Sequence, residues 1–397
     1  MNKMKDSGIE WIGSIPSDWN LKRIQLCLTE INEKNNPAKT DQVLSLVKDK
    51  GVMLYEDKGN QGNKAKEDVT QYKIAYPNTL VVNSMNILIG SVGISKYLGC
   101  VSPVYYVFKE TKDSDLRFIN YIFNTREFQK ELRRYANGIL EIRLRVSAYD
   151  IFKRKIPLPN KTLQNQISDY LDKKCAEIDR LSLEVQNEID TLEGYKRSVI
   201  NETVKKGIEA KAEIVNSGFE CIGDISATAS IKRFKYVATI KSNLVAPDNY
   251  LEYPQISPDN IEKDTGRLIG YCTVKEAGVI SGNHLFYKGQ ILYSKIRPNL
   301  NKVTIAPFEG LCSADIYPIE TDCDTRFILY TMLSAYFVEQ VSLVVRDRVK
   351  MPKINQNELG EIRVVILPKS EQEKISEYLD LKCHEIDSVV EKKKQQL

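Results

Sequence analysis

Few residues in this chain could perform covalent or metal chemistry. There are two histidines, His284 and His384, and eight cysteines that form no Cys-x-x-Cys pair. A zinc site needs clustered cysteine and histidine ligands, and a serine or cysteine nucleophile needs a neighbouring base. Phosphate-binding loops of the GxxxxGK[ST] and GxGxxG kinds are also missing. The sequence therefore predicts reduced, mostly buried thiols, no metal site and no catalytic residues, and it favours a binding role.

Basic and amide side chains gather in turn-rich stretches, a pattern typical of nucleic-acid contacts. Lysine and arginine reach phosphates, while arginine, asparagine and similar side chains read base edges. Residues 117–155 hold ten basic and four acidic residues. An ordinary solvated surface is the alternative for each residue taken singly. The candidate DNA contacts are Lys64, Lys66, Lys96, Tyr97, Arg133, Arg134, Arg143 and Arg145 in the first half, and His284, Lys295, Arg297, Asn299, Asn301, Arg346, Arg348 and Lys350 in the second.

Size and composition predict a globular protein with more than one domain. The chain has 397 residues, of which 42% are hydrophobic and 28% charged, and this length exceeds what one core usually holds. No apolar run approaches a membrane span and the first residues do not resemble a secretory signal, so we expect a cytoplasmic location. Residues 1–159 carry 25 Lys and Arg against 18 Asp and Glu, whereas the remainder is nearly neutral. This bias favours nucleic acid only modestly.

The chain contains an internal repeat of about 209 residues. "SGIEWIG" at 7–13 returns as "SGFECIG" at 217–223, and "LKRI" at 21–24 returns as "IKRF". "QNQISDYLDKKCAEID" at 164–179 returns as "QEKISEYLDLKCHEID", with eleven of sixteen positions identical. The period is too long for a solenoid and indicates a duplicated domain plus connector. The sequence similarity of the two connectors favours a common partner, and the divergence of the two domain interiors favours different ligands. An old duplication with neutral drift is the alternative.

Both connectors are predicted to be helical. Residues 161–206 contain no proline, and their apolar residues recur three or four positions apart, which is typical of a coiled-coil helix of roughly 68 Å. Pro159 precedes it and Gly207 follows it, as expected at the start and the end of a helix. The second helix should start near Ser370 and be short, because Leu397 corresponds to Ile189. Each helix needs a partner for its apolar stripe, and the other connector is the obvious one.

The segments between the connectors predict a mixed α/β domain that occurs twice. "TLVVNSMNILIG" and "PVYYVFK" are typical of strands, whereas residues 114–136 have helical spacing with Ser114 as the expected cap. The predicted fold class is α+β, with two mixed α/β domains in tandem repeat separated by long helices that form a coiled coil. The predicted boundaries are 1–158 for domain 1, 159–207 for the central helix, 208–368 for domain 2 and 369–397 for the C-terminal helix.

Three motifs together resemble the specificity subunit of type I restriction-modification systems over the whole chain. They are "KDSGIEWIGSIPSDWNLKRI", "IPLPNKTLQNQISDYLDKKCAEIDRL" and "YKRSVINETVKKG". The second half departs from this pattern, since "SGFECIGDISATAS" lacks the tryptophan and the Pro-x-x-Trp of the first.

The resemblance implies a non-catalytic subunit that takes no cofactor of its own. Each domain would be a target recognition domain for one half of a bipartite site in double-stranded DNA. The helices would pack as an antiparallel coiled coil in pseudo-twofold arrangement and would set the spacer. Two methylation subunits that carry S-adenosylmethionine would dock at the repeated regions. Motor-nuclease subunits, which use ATP and Mg, would complete the complex. The alternatives are a truncated specificity subunit with impaired partner binding and a coiled-coil scaffold without a DNA role.

Overall fold

The computed structural model describes residues 3–48, 50–59, 65, 68–138, 144–209 and 211–397. The chain divides into two compact units, Met1–Arg180 (unit 1) and Leu181–Leu397 (unit 2). The boundary lies within one long helix, Lys161–Lys206, which therefore contributes its first part to unit 1 and its second part to unit 2.

Unit 1 consists of short strands, three short helices and the start of the long helix. Its main core packs apolar side chains of the central strands against the helices, including Leu80, Phe108, Ile119 and Phe128. The strands are β1 (Met4–Asp6), β2 (Ser14–Pro16), β3 (Asn20–Arg23), β4 (Leu28–Glu30), β5 (Leu44–Val47), β6 (Gly51–Leu54), β7 (Lys73–Ala75), β8 (Leu80–Asn83), β9 (Val92–Ile94), β10 (Gly99–Val101), β11 (Tyr105–Glu110) and β12 (Lys155–Leu158). The helices are α1 (Leu116–Phe123), α2 (Arg126–Arg133), α3 (Ala148–Lys153) and α4 (Lys161–Lys206).

The predicted helix over residues 114–136 is two helices. Asp115, not Ser114, caps α1, because its carboxylate accepts hydrogen bonds from the backbone N–H groups of Arg117 and Phe118. A second cap follows at once, since the Thr125 hydroxyl accepts from the N–H of Phe128 and begins α2. Two caps ten residues apart therefore end one helix and start the next.

The main sheet of unit 1 has the strand order β4-β11-β8-β9 and is antiparallel throughout. Tyr105 lies opposite Asn83, and Leu80 lies opposite Ile94. This register defines two ends of the sheet, the Asn83 end and the Leu80 end, and it decides which loops can meet.

Unit 2 repeats this plan and adds a larger second sheet. Its four-stranded sheet, β16-β24-β21-β22, has equivalent strands in the same order as unit 1, and its five-stranded sheet has the order β17-β20-β23-β18-β19. The strands are β13 (Ile214–Asn216), β14 (Asp224–Ser226), β15 (Ser230–Arg233), β16 (Ala238–Ile240), β17 (Leu244–Val245), β18 (Pro254–Ile256), β19 (Cys272–Thr273), β20 (Asn283–Phe286), β21 (Ile291–Ser294), β22 (Val303–Ile305), β23 (Gly310–Cys312), β24 (Ile316–Thr321) and β25 (Arg363–Ile366). The helices are α5 (Val274–Ala277), α6 (Thr325–Leu333), α7 (Ala335–Val345), α8 (Gln356–Glu361) and α9 (Lys369–Lys394).

The repeated phrases at the start of each half form the same tight hairpin. In unit 1 the N–H of Ser7 donates to the carbonyl of Gly13 at 3.0 Å, and in unit 2 Ser217 donates to Gly223 at 3.1 Å. Each hairpin contains an equivalent glycine, Gly8 or Gly218, at positive φ, where a side chain would be strained. The phrase is therefore repeated because it builds a turn.

The second part of α4 pairs antiparallel with α9 inside unit 2. The ammonium of Lys196 binds the carboxylate of Asp387 at 2.8 Å, and towards the other end of the pair Lys393 binds Glu188. Ile189 is buried beside Ile386 and Val390. The predicted antiparallel helix pair and the α+β class are thus confirmed.

Each long helix is tied to the mixed α/β domain of its own unit by the same three side chains. In unit 1 the amide oxygen of Gln164 accepts from the Asp115 N–H at 2.8 Å, and Asp172 accepts from Arg117 and Tyr121 at 2.8 and 2.7 Å. Ser168 donates to the Asp115 carboxylate at 3.4 Å.

Unit 2 reproduces these bonds about 208 residues later. The Gln372 oxygen accepts from the Asp324 N–H at 2.9 Å, and Ser376 donates to the Asp324 carboxylate at 2.6 Å. Asp380 accepts from Arg326 and Tyr330, each at 2.7 Å. Burial and the Asp380 carboxylate raise the pKa of Tyr330, so this hydroxyl remains a hydrogen-bond donor. Part of the sequence identity between the two connectors is therefore explained by bonds that each makes within its own unit.

Cys175 and Cys383 occupy equivalent positions of the repeat but different environments. Cys175 is exposed on α4, whereas Cys383 is buried under the helix pair, and burial raises the pKa of its thiol to about 11. Because the thiolate is the reactive form, we expect a maleimide to label Cys175 on the order of tenfold faster than Cys383 at neutral pH. Peptide mapping by mass spectrometry gives both rates in one sample. Equal rates would contradict the packing of α9.

Among the described residues, no single helix has the length and apolar character needed to cross a membrane, although the bent pair of α6 and α7 meets both criteria jointly. The same residues contain no cluster of three or more His, Cys, Asp or Glu side chains that could hold a metal ion.

Candidate nucleic-acid interface

Four loops of unit 2 meet at one end of its sheets. Ser294, the last residue of β21, lies opposite Ile316, the first of β24. Lys295 therefore stands next to Asp315, and its backbone N–H donates to the Asp315 carbonyl at 2.9 Å. The loop 278–282 reaches the same place, because β20 starts opposite the end of β23. We call loops 278–282, 295–302, 313–315 and 346–354 the Asp315 end.

The two basic segments predicted in unit 2 lie side by side at the Asp315 end. The N–H of Arg297 donates to the Pro352 carbonyl at 2.8 Å, and the N–H of Ile354 donates to the Lys295 carbonyl at 3.0 Å. The carboxylate of Asp315 lies 3.1 Å from the ammonium of Lys353 and 3.6 Å from that of Lys295. Backbone pairing, which the sequence does not reveal, brings the segments together.

The charged side chains that are exposed at the Asp315 end are mostly cationic. Arg297, Arg346 and Lys350 are exposed, and within the described part of the chain the only ion-pair partner of Arg346 is the adjacent Asp347, 3.8 Å away. Asn299 is exposed as well, and its side-chain oxygen accepts from Ser342 at 3.0 Å. An excess of cations with an amide among them suits a polyanion that also displays hydrogen-bonding edges.

Arg348 was predicted to contact DNA, but its side chain is held by an ion pair and a hydrogen bond within unit 2. Its guanidinium binds the carboxylate of Glu358, with one N–O distance of 3.1 Å, and also donates to the Lys353 carbonyl. The Glu358 carboxylate raises the pKa of Arg348, and the guanidinium in turn lowers that of Glu358. Arg348 thus closes the neck of the 348–353 loop, and its charge is neutralised.

His284 and Asn301 are interior residues, although both were candidate contacts. His284 lies on β20 between β17 and β23, where burial, assisted by the positive charge of Lys295, lowers its pKa and keeps the ring neutral. Asn301 is buried beside the turn Pro298–Leu300, with its backbone in the left-handed region. A strand centre and a turn interior offer no open surface, so we leave both out of the proposed interface.

The candidates in unit 1 fall at opposite ends of its main sheet. Arg145 is at the Asn83 end, because the N–H of Val146 donates to the Ser84 carbonyl at 3.0 Å. Lys96 and Tyr97 are at the Leu80 end, where they follow β9. A four-residue strand, about 13 Å long, separates the two positions. Lys64, Lys66 and Arg143 lie outside the described residues.

Two adjacent arginines of α2 and its cap were also predicted. Both Arg133 and Arg134 are exposed. The guanidinium of Arg134 binds Glu10 at 2.8 Å and lies 3.4 Å from Glu131, and the Glu10 carboxylate raises the pKa of Arg134. Much of the positive charge of Arg134 is therefore already balanced.

Sequence reasoning missed Lys353 and the loop that carries Ile280. Lys353 is three residues beyond the cluster "RDRVK" and was detectable only as an extension of it. Ile280 is apolar, and a search for charged and amide residues passes over it. Asp315, which holds Lys295 and Lys353 together, is isolated in the sequence from both.

Replacement of Arg145 by alanine should weaken DNA binding. We expect a loss of about 1–3 kcal/mol if Arg145 reads a base, with relaxed preference at one position. Arg134→Ala is the matched control, because carboxylates already neutralise that side chain, and a smaller loss is expected. Fluorescence anisotropy at several salt concentrations separates the modes, since a phosphate contact lowers affinity for all sequences and makes the salt dependence shallower. Equal losses for both variants would exclude a special role for Arg145.

The fold is shared with one class of solved structures, proteins of type I restriction-modification systems. The chain is similar over 96% of its length to a structure solved in a study of complex assembly and conformational transition of the type I R-M system, with a TM-score of 0.69, 13% identity and 94% coverage of that chain. The HsdS subunit from Thermoanaerobacter tengcongensis matches over 96% of this chain and 92% of its own, with a TM-score of 0.51 and 12% identity. At such identities these likenesses concern the fold.

Sequence similarity points to the same class. The chain is 35% identical over 241 residues to the type I restriction enzyme EcoDI specificity subunit of Escherichia coli, a region that covers 57% of this chain and 54% of that subunit. The match thus spans about half the length of the curated relative. No family model matches the chain. The resemblance to type I specificity subunits is confirmed by these comparisons.

Proposed function

We propose that this chain is a DNA-specificity subunit of a type I restriction-modification complex. Unit 1 would read one half of a bipartite site through the Asn83 end, and unit 2 would read the other half through the Asp315 end. The helix α4 would set the number of base pairs between the halves. The subunit would work in the cytoplasm, contribute no catalytic residue and bind no cofactor itself.

The observation that carries this proposal is the combination of one repeated anchor with two different loop sets. Gln164, Ser168 and Asp172 fix α4 to unit 1 by the same bonds that Gln372, Ser376 and Asp380 use in unit 2. The loops at the sheet ends, in contrast, share little sequence. A protein that must read two different sequences from one frame needs this arrangement.

We further propose that two methylation subunits dock on the repeated helix segments. Tyr170 and Tyr378 are identical, equivalent and exposed in both units, whereas the neighbouring identities Gln164/Gln372, Ser168/Ser376 and Asp172/Asp380 make the intramolecular bonds described above. Exposed tyrosines are frequent anchors of protein interfaces. The docked subunits would supply S-adenosylmethionine and the methyl transfer, and motor-nuclease subunits with ATP and Mg would join for restriction.

Methylome sequencing tests the proposal most directly. A methylation-deficient host that expresses the chain with its methylation subunit should gain adenine methylation at one bipartite sequence, and neither protein alone should produce it. A gel shift with and without the methylation subunit adds a physical readout. A coiled-coil scaffold would bind no DNA in either case. A specificity subunit with impaired partner binding would bind DNA weakly and give no methylation.

A further inference from the structure

The two most exposed large apolar side chains in the described part of the molecule both stand at the Asp315 end. Val349 is 95% exposed and Ile280 is 93% exposed, while the next, Tyr236, is 70% exposed. Single exposed apolar residues are ordinary on protein surfaces. Two extreme cases at one end of one domain, both β-branched and both on loops, where such residues are disfavoured, favour a partner that covers them.

The loop that carries Ile280 is braced from below. Gly278 ends α5 in the left-handed conformation, and a capping box formed by Thr273 and Glu276 fixes the start of that helix. On the other side the buried amide of Asn283 donates to the Ser281 carbonyl at 2.9 Å. Ile280 is therefore held out on a supported loop tip.

The loop that carries Val349 is closed across its neck. Arg348 donates to the Lys353 carbonyl, and Glu358 holds the guanidinium in place. Lys353 in turn binds Asp315, which also lines the shallow groove beside Ile280. The two apolar tips thus belong to one braced surface, and cations flank it.

We propose that Ile280 and Val349 contact the C5-methyl groups of thymines in the half-site read by unit 2. The inference rests on the proposed function. The cations of the Asp315 end select a polyanion, and within DNA the thymine methyl is the apolar group displayed in the major groove. An aliphatic tip on a loop can cover that methyl and exclude water from both surfaces. The half-site of unit 2 therefore contains at least one thymine that polar contacts alone do not specify.

Deoxyuridine substitution isolates the methyl group, because deoxyuridine pairs as thymine does and lacks only the C5-methyl. The experiment measures how tightly the full chain, together with its methylation subunit, binds duplexes of the methylated sequence. In each duplex a single thymine is replaced by deoxyuridine. At one or more positions we expect roughly fourfold weaker binding, which is the effect of one buried methyl group. Ile280→Ala or Val349→Ala should bind the thymine and deoxyuridine duplexes equally at that position.

The other half-site provides the internal control, since its thymines should respond identically in the parent protein and in both variants. Bipartite recognition without any thymine-to-deoxyuridine effect in the parent protein overturns the inference and leaves the proposed function intact. So does an effect that persists unchanged in both variants, which would reflect DNA shape. Unstacking of a neighbouring 2-aminopurine without methyl dependence would assign the tips to wedging between base pairs. Failure of all sequence-specific binding would instead remove the proposed function.

Discussion

Ile386→Ala should lower the free energy of unfolding of unit 2 by about 2–4 kcal/mol. Ile386 is 6% exposed and packs against Ile189 and Val390 where α4 and α9 meet. Removing three carbons there costs the transfer free energy and leaves a cavity between two helices whose positions Lys196 and Asp387 fix. Urea unfolding, monitored by circular dichroism and by near-ultraviolet signals that do not come from tryptophan, measures the change in the free energy of unfolding.

The repeat supplies a control in the same sequence context. Ile178 is the counterpart of Ile386 but is 60% exposed, so Ile178→Ala should change the free energy of unfolding by less than about 0.5 kcal/mol. The comparison cancels differences of helix propensity, because both substitutions occur in helices with similar neighbours. Similar losses for the two variants would mean that the stripe around Ile178 is covered in solution, and they would contradict the exposure of this part of α4.

Deletion of residues 180–183 should abolish recognition of the parent DNA site and create a new one with a shorter spacer. These residues lie between the segment anchored by Asp172 and the segment packed through Val185 and Ile189, so both packing interfaces survive. Four helical residues span about 6 Å, and their removal turns one end of the helix relative to the other by about 40° beyond a full turn. Since B-DNA rises about 3.4 Å per base pair, the spacer should shrink by one or two base pairs.

Methylome sequencing of the deletion strain reads the new spacer directly. Replacement of the same four residues by alanines keeps the helix length and should leave the original site methylated. The half-site sequences should be the same in all strains, because the loops at the sheet ends of both units are untouched. An unchanged spacer in the deletion strain would show that α4 does not set the distance.

The long helices and the duplicated plan could be predicted because their causes are local. Apolar residues three or four apart, together with Pro159 and Gly207 at the ends, indicate a helix of the observed length. The repeat is visible as identity between "SGIEWIG" and "SGFECIG" and between the connectors. The strands "LVVN" and "YYVFKE" were likewise evident from β-branched and aromatic composition.

The roles of individual polar residues could not be predicted, because they depend on neighbours far away in the chain. No role could be assigned to Gln164 and Asp172 beyond their place in the repeat, yet they anchor α4 to Asp115 and Arg117. Arg348 read as a DNA contact, yet Glu358 neutralises it. The spacing of residues along a sequence predicts which face of a helix or strand a side chain occupies. It does not predict which distant residue that side chain will contact.

The sequence by itself determined the class of fold and the two long helices with their pairing, since propensity, periodicity and composition decide these properties. Only the tertiary structure decided which candidates share a surface. Strand register placed Lys295 beside Lys353, sent Lys96 and Arg145 to opposite ends of a sheet, and buried His284. The folded loops also leave Ile280 and Val349 exposed at the Asp315 end. The physical reason is that a one-residue register change reverses the face of every side chain on a strand, and long-range pairing fixes that register.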